Sequence, residues 1–344
     1  MKISLRIIIF CLLLTPESYA QKADWQIGLF SFFDNNEFGH SAVQIPQTMA
    51  GVRLSPGIGI RLDSVHSLHF GVSMLHEFGS DKAIGDFYPA AYYKFDKKPF
   101  RFMMGAFPRT YAVERYPRIF FQDSISYYRP NINGILLEFS ASKVFANLWL
   151  DWTSRQSPES RETFLLGYSG RYSHGPFYVQ QFFYMFHFAG IMDPVVPEAL
   201  HDNLIVLNSA GINFSGKTIF DILDINCGWV AGLERARAEN SGWLKQNGFL
   251  SEANVEYKRI GIFNTFYAGN GQMPFYDDHD NELYWGDPFY RTETYNRSDF
   301  YIDFIKNDVI STRIIYSLHF TENTMYHEQS LKVSVNLNNI RLNR

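Results

Sequence analysis

Cysteine is almost absent from this chain of 344 residues: there are two, Cys11 and Cys227. Cys11 lies in the apolar run Ile7–Leu14, which Lys2 and Arg6 precede and Ser18-Tyr19-Ala20 follows with a small-x-small ending. That order predicts a secretory signal peptide over 1–20, removed after Ala20 and Cys11 with it. Pro16, Glu17 and Ser18 cut the run short of the roughly 20 apolar residues an anchor helix needs. Ile8, Ile9 and Phe10 are not the small residues that precede a lipoprotein cysteine. With Cys227 alone in the mature chain, an intramolecular disulfide framework is excluded.

Charge is also scarce, at 19% of residues, with a net charge of −4 and no polybasic tract. Nucleic acid is therefore not expected as a partner. No later apolar run reaches helical spanning length, so an exported chain of mean hydropathy −0.19 is either soluble or a β-barrel. There is no Gly-x-Ser-x-Gly elbow, no His-Glu-x-x-His helix and no spaced set of Cys and His. No cofactor and no metal are expected, and no catalytic residue is assigned.

What the chain does have is alternation. In Ile310–Phe320, the residues Ile310, Thr312, Ile314, Tyr316, Leu318 and Phe320 share one face, and Leu331, Val333, Val335 and Leu337 repeat the pattern after a polar loop. These are strands with one apolar face each. About sixteen such segments follow Asp24, many close to the 9–11 residues of a membrane-spanning strand. The connections alternate between short and long. Tight ones such as Asp63–His66, Asp96–Pro99 and Ser173–Pro176 are interleaved with Pro108–Asn131, Gly269–Ser298 and other long ones. A soluble sandwich gives no reason for that regularity, whereas an outer-membrane barrel has short periplasmic turns and long extracellular loops. The expected fold is all-β: a closed up-and-down antiparallel transmembrane barrel of about sixteen strands, with 21–344 as one barrel domain. Apolar faces would meet lipid. Polar faces, such as Asn147 with Asp151 or Asp224 with Asn226, would meet a wet lumen.

In this layout the chain resembles porin-like outer-membrane barrels of the Bacteroidetes type of Gram-negative envelope. The likeness is one of architecture over the mature chain, without a specific motif, and Ile340–Arg344 departs from the aromatic ending of many such barrels. It implies a channel for passive diffusion of small hydrophilic solutes, with outer-membrane lipid around it and a homo-oligomer as its assembly. In the porins it resembles, the third long loop folds into the lumen. Here that loop is Pro108–Asn131, with Arg109, Glu114, Arg115, Arg118 and Asp123. Together with Arg53, Arg61, Arg101, Glu138, Asp151, Arg171, Asp303 and Arg313 on the polar strand faces, these are the expected pore-lining or constriction residues, because rings of charge set pore selectivity. The same groups fit a structural charge network that fills the interior. The acidic run Asp277–Glu282 lacks the glycine and distal glutamate of a calcium loop and reads more simply as solvated.

The other class is an enzyme: a lipid hydrolase barrel with Ser, His and acidic residues near the outer rim. His69, His76, His187, His201 and His319 are the histidines available for it, each also able to serve as a hydrogen-bonding group in the wall. A closed barrel with a structural or adhesive role is a third reading.

Overall fold

The structure, a computed structural model, describes residues 22–193, 200–237, 242–322 and 324–338. The expected signal peptide lies outside the described residues. Sixteen strands form one closed barrel, each hydrogen-bonded to its neighbours in sequence and β1 to β16. They are β1 Lys22–Glu37, β2 Gln47–Arg61, β3 His66–Glu77, β4 Asp86–Lys97, β5 Phe100–Pro108, β6 Asn131–Ser140, β7 Val144–Ser154, β8 Thr163–His174, β9 Phe177–Phe188, β10 His201–Asn213, β11 Ile222–Ala236, β12 Leu244–Tyr257, β13 Ile260–Gly269, β14 Thr294–Lys306, β15 Ile310–Phe320 and β16 Met325–Asn338. Every pairing is antiparallel, and turns and long loops fall at opposite ends as the sequence predicts. Closure leaves no unpaired strand edge, the condition for crossing hydrocarbon.

Alternation decides the faces. Along β16, Tyr326, Glu328 and Ser330 are buried inside the barrel, whereas Met325 and Leu331 are exposed on its outer wall. The outer wall is an apolar belt that includes Trp25, Ile58, Leu148, Trp229, Phe300 and Ile314. Some strands run further than the sequence pattern suggests. Asp34–Glu37, expected as loop, continues β1 over its 16 residues, and the ends of β11, β12, β14 and β16 likewise extend into the expected loops. These ends rise past the hydrocarbon layer. Their outward residues need not be apolar, so the period-2 signal fades while the hydrogen-bond ladder goes on.

The larger departure is in the lumen. Many inward residues in the extracellular half are apolar: Met103, Phe107, Leu136, Leu165, Phe182, Tyr184, Phe186 and Leu207 all lie in one core, beside buried polar ones such as Asp34, Glu234 and Glu328. The long loops 109–130 and 270–293 fold inward and complete it with Ile119, Phe120, Leu283, Trp285 and Phe289. Loop 109–130 carries two short helices, α1 (Thr110–Val113) and α2 (Asp123–Tyr128). The loops are joined to each other, since Gln122 N–H donates to Trp285 O at 2.7 Å and Asp287 N–H to Arg118 O at 2.9 Å. Gly286 permits this contact: a Cβ there would stand 2.2 Å from Ile119 O. Gly167 does the same for the wall, because a Cβ would lie 2.1 Å from the Trp149 ring. A polar, water-filled bore was expected. Strands such as β9, Phe177–Phe188, are instead apolar on both faces, outward for lipid and inward for the plug.

Candidate functional site

The lumen has three tiers. The extracellular mouth holds a cavity of about 510 Å³ between the long loops, lined by Ser154, Ser160, Arg129, Arg161, Glu282 and Trp285 among others. Below it lies the apolar plug. The periplasmic end opens as a second cavity of about 680 Å³, lined by Asp24, Arg61, Ser67, His69, Lys94 and Asp96 among others.

The sequence-picked charged residues divide between these tiers. Arg109, at the start of loop 109–130, is buried and paired with Asp151 at 2.7 Å. It also donates to Arg129 O at 2.7 Å and Asn131 O at 2.6 Å. Arg53 reaches across to the same loop, donating to Ser126 O at 2.8 Å and Tyr127 O at 2.7 Å. Arg118 pairs with Asp123 at 3.2 Å and Asp299 at 2.9 Å. Asp123 also meets Arg297 at 3.2 Å and Lys332 at 3.6 Å. Burial alone would raise the Asp123 carboxyl, but Arg118, Lys332 and Arg297 outweigh it and hold it well below the usual carboxylate range. Arg115 lies with its guanidinium 4.1 Å from the Phe145 ring centroid, and Glu114 is exposed. The rest sit lower on the wall. Arg101 bridges Asp96 and Glu138 at 3.3 and 3.1 Å, Arg61 pairs with Asp24 at 2.6 Å, Arg313 with Asp303 at 2.6 Å, and Arg171 covers the Tyr178 ring at 3.5 Å.

The histidines are equally dispersed. His319 is enclosed, held by Tyr295 OH at 2.8 Å and Glu328 at 3.0 Å. His69 meets Ser67 Oγ at 3.0 Å in the periplasmic cavity and stacks on Tyr92. His201 contacts His279 at 3.2 Å beneath the extracellular loops, where burial lowers the His279 imidazole below its ordinary value. His76 bonds Lys82 O at 3.1 Å. His187 faces outward, bonded to Asp202 at 2.9 Å.

One polar cluster on the outer wall escaped the sequence reading. At the extracellular end of β15, β16, β1 and β2, Tyr316, His327, Gln329, Asn35, Glu37 and Thr48 point away from the barrel axis, above the exposed apolar side chains of Phe33 and Leu331. Register sets them side by side: Glu37 is opposite His327, and Asn35 is opposite both Gln329 and Thr48. Tyr316 OH meets His327 Nδ1 at 2.7 Å. Asn35 Nδ2 donates to Gln329 Oε1 at 2.7 Å and to Glu37 Oε1 at 3.1 Å, and Thr48 Oγ1 donates to Asn35 Oδ1 at 2.7 Å. An imidazole, a carboxylate, amides and a hydroxyl thus stand at the height where acyl chains meet headgroups. The signal in the sequence was a polar residue at every second position just beyond an apolar outward run.

A closed antiparallel barrel of sixteen strands with an apolar outer belt defines a porin-like outer-membrane barrel, and solved structures agree. The chain is similar to a loop-deleted form of the outer-membrane protein OmpT of Vibrio cholerae, at 11% identity over 92% of this chain and 100% of that one, with a TM-score of 0.56. It is also similar to the anion-selective porin from Comamonas acidovorans, at 8% identity over 92% and 99% of the two chains, TM-score 0.56. A triple mutant of the Rhodopseudomonas blastica porin matches at 12% identity over 92% and 100%, TM-score 0.51. At such identities the likeness is one of fold. Among curated proteins, none matches. A family model described as Lipid A 3'-O-deacylase-type matches residues 15–343, and the chain belongs to that family. Its place is the outer membrane of the Gram-negative envelope. The expectation of a passive diffusion channel is thereby corrected: the family is one of enzymes acting on a membrane lipid, and nothing among the comparisons supports a small hydrophilic solute as partner. The physical reason lies in the lumen, where an apolar plug occupies the space that alternation alone assigned to water.

Proposed function

We propose that this barrel is an outer-membrane ester hydrolase that removes an acyl chain from lipid A, working on its outer wall rather than through its lumen. The observation that carries the reading is the family match over residues 15–343, and the plugged lumen supports it. An ester of a membrane-embedded lipid lies at the boundary between acyl chains and headgroups. A group that attacks it must therefore face the bilayer at the extracellular rim. The cluster around His327 has that position, directly above Phe33 and Leu331.

His327 is the proposed general base. Tyr316 OH on Nδ1 orients the ring, which leaves Nε2 to take a proton from water. Hydroxide oxygen adds to the ester carbonyl, and the amide N–H groups of Gln329, whose Oε1 is occupied by Asn35, supply donors for the resulting oxyanion. Collapse breaks the bond between the carbonyl carbon and the ester oxygen, and the imidazolium returns its proton to the sugar alkoxide that leaves. Ester and water become fatty acid and alcohol.

The test is mass spectrometry of lipid A from a Gram-negative host expressing the wild type, His327→Asn or Gln329→Ala. The wild type is expected to produce lipid A lighter by one acyl group. Loss of a base or of an oxyanion donor typically costs a factor of about 10²–10⁴ or 10²–10³, so both variants should leave lipid A intact while folding normally. Deacylation that persists in both variants would move the chemistry elsewhere. Intact lipid A with the wild type would overturn the hydrolase reading.

A further inference from the structure

A second outward cluster stands at the extracellular rim on the other side of the barrel, where β9, β10 and β11 end. Asp202 faces outward yet is buried, with a side chain 4% exposed, because three groups close over it. His187 Nδ1 lies at 2.9 Å, Arg235 Nε donates at 2.9 Å, and Arg237 donates through Nε at 2.8 Å and Nη2 at 2.9 Å. The two arginine side chains stay partly open, 34% and 42% exposed. Arg235 is further fixed over the Trp243 ring, 4.4 Å from its centroid. Lys245, exposed, is the direct outward neighbour of Leu233 in the β11–β12 ladder, two residues below Arg235.

Among the described residues, two arginines close on one carboxylate and a lysine stands one strand further on, so the patch keeps a net positive charge. Asp202 does what a bound anion would otherwise do: it lets two guanidinium groups sit side by side. Each guanidinium has five N–H donors, and Asp202 takes one from Arg235 and two from Arg237. Among the described residues the remaining donors have no further carboxylate partner and can serve a second anion. Immediately toward the membrane, the same outward face is apolar, with Trp229 and Phe249 exposed. Cations directly above an apolar wall match a molecule with a negative head and hydrocarbon tails, and a protein partner would leave that wall to lipid in any case.

We infer that Arg235, Arg237 and Lys245 form a docking site for the phosphate of a phosphorylated lipid in the outer leaflet. The site is distinct from the cluster around His327, five strands away around the barrel, and does not depend on hydrolysis. Forked arginine contacts suit phosphate geometry, and Trp243 anchors the headgroup level.

The experiment is native mass spectrometry of the full-length barrel titrated with bis-phosphorylated lipid A, with the same lipid A after phosphatase treatment, and with phosphatidylglycerol, using inorganic phosphate as competitor. Wild type, Arg235→Gln/Arg237→Gln and His327→Asn are compared. The arginine variant is expected to bind phosphorylated lipid A at least about tenfold more weakly, since it loses charge-assisted hydrogen bonds to the phosphate, and to bind the dephosphorylated lipid like the wild type. His327→Asn should bind like the wild type, which separates this site from the hydrolytic one. Equal binding of phosphatidylglycerol would assign the phosphate alone as the recognised group. If the arginine variant folds poorly, Lys245→Gln with Arg237→Lys keeps the cluster filled and should still weaken phosphorylated lipid. Equal affinity of wild type and variants for phosphorylated lipid A, or competition by inorganic phosphate at the lipid's own concentration, would overturn the inference.

Discussion

Replacing Arg109 with methionine probes how the plug is held. The side chain is 6% exposed and its partner Asp151 1% exposed, with 2.7 Å between Nη2 and Oδ2. Methionine keeps an unbranched apolar stem on the side of Trp285, whose ring centroid lies 4.9 Å from the guanidinium. What it removes is the charge, together with the donors to Arg129 O and Asn131 O. Asp151 then stays buried with only the Asn133 N–H, at 2.8 Å, to satisfy it. Breaking a buried pair by removing one partner costs about 3–5 kcal/mol, because the other charge is left uncompensated. Removing both is different. Arg109→Met with Asp151→Leu eliminates both desolvation penalties and should recover most of the loss, since apolar replacements of buried pairs are often near neutral. The assay is reversible urea unfolding in lipid vesicles, followed by tryptophan fluorescence, for both single variants and the double. A strongly positive coupling is expected, with the double variant more stable than Arg109→Met alone. Additive losses, or a cost under about 1 kcal/mol for Arg109→Met, would mean that the pair is hydrated and the plug loosely seated.

Two further predictions concern faces and charge. Val335 lies outward beside Leu29 and Ile310, and Asn336 inward beside Gly28; Val335→Arg should cost more stability than Asn336→Arg, because a charge on the lipid face is penalised and one on the lumen face is not, so equal losses in the same unfolding assay would refute the faces. Asp123, whose carboxyl its cationic neighbours hold low, contributes stability that is fully present above its unfolded value of about 3.9 and is lost as pH falls towards the depressed folded value. The stability gap between wild type and Asp123→Asn should therefore be constant near neutrality and narrow below about pH 4; a gap that widens on acidification would contradict the network.

The barrel was legible in the sequence because lipid imposes its own period. Leu331, Val333, Val335 and Leu337 must all be apolar, and the short and long connections must alternate, whatever the barrel does. The interior obeys no such rule. Phe182, Tyr184, Phe186 and Phe188 read as one apolar face of β9, and nothing in their spacing says whether such a face meets lipid or a plug; only the partner loops Pro108–Asn131 and 270–293 decide it. Arg118 and Asp123 were among the residues picked from the sequence and Arg297 was not, and spacing could not tell a conducting ring from the closed network of Arg118, Asp123, Arg297 and Asp299. His327 was passed over because β16 rises beyond the hydrocarbon layer there, and His327, Gln329 and Glu328 look like loop. Their alignment with Glu37 and Asn35 is made by the closure of β1 on β16, between residues nearly 300 positions apart, and a period-2 pattern carries no information on that register.

The most direct test of the closed lumen is single-channel recording of the purified barrel in a planar bilayer. With Phe107, Ile119, Phe120 and Leu136 buried together in the plug, the wild type should insert without steady ionic conductance. Deleting the plug segment 112–127, with a short linker joining Tyr111 to Tyr128, should produce stable open steps. Stable steps from the wild type, of the size the deletion gives, would contradict the account and return the lumen to the role of a passage.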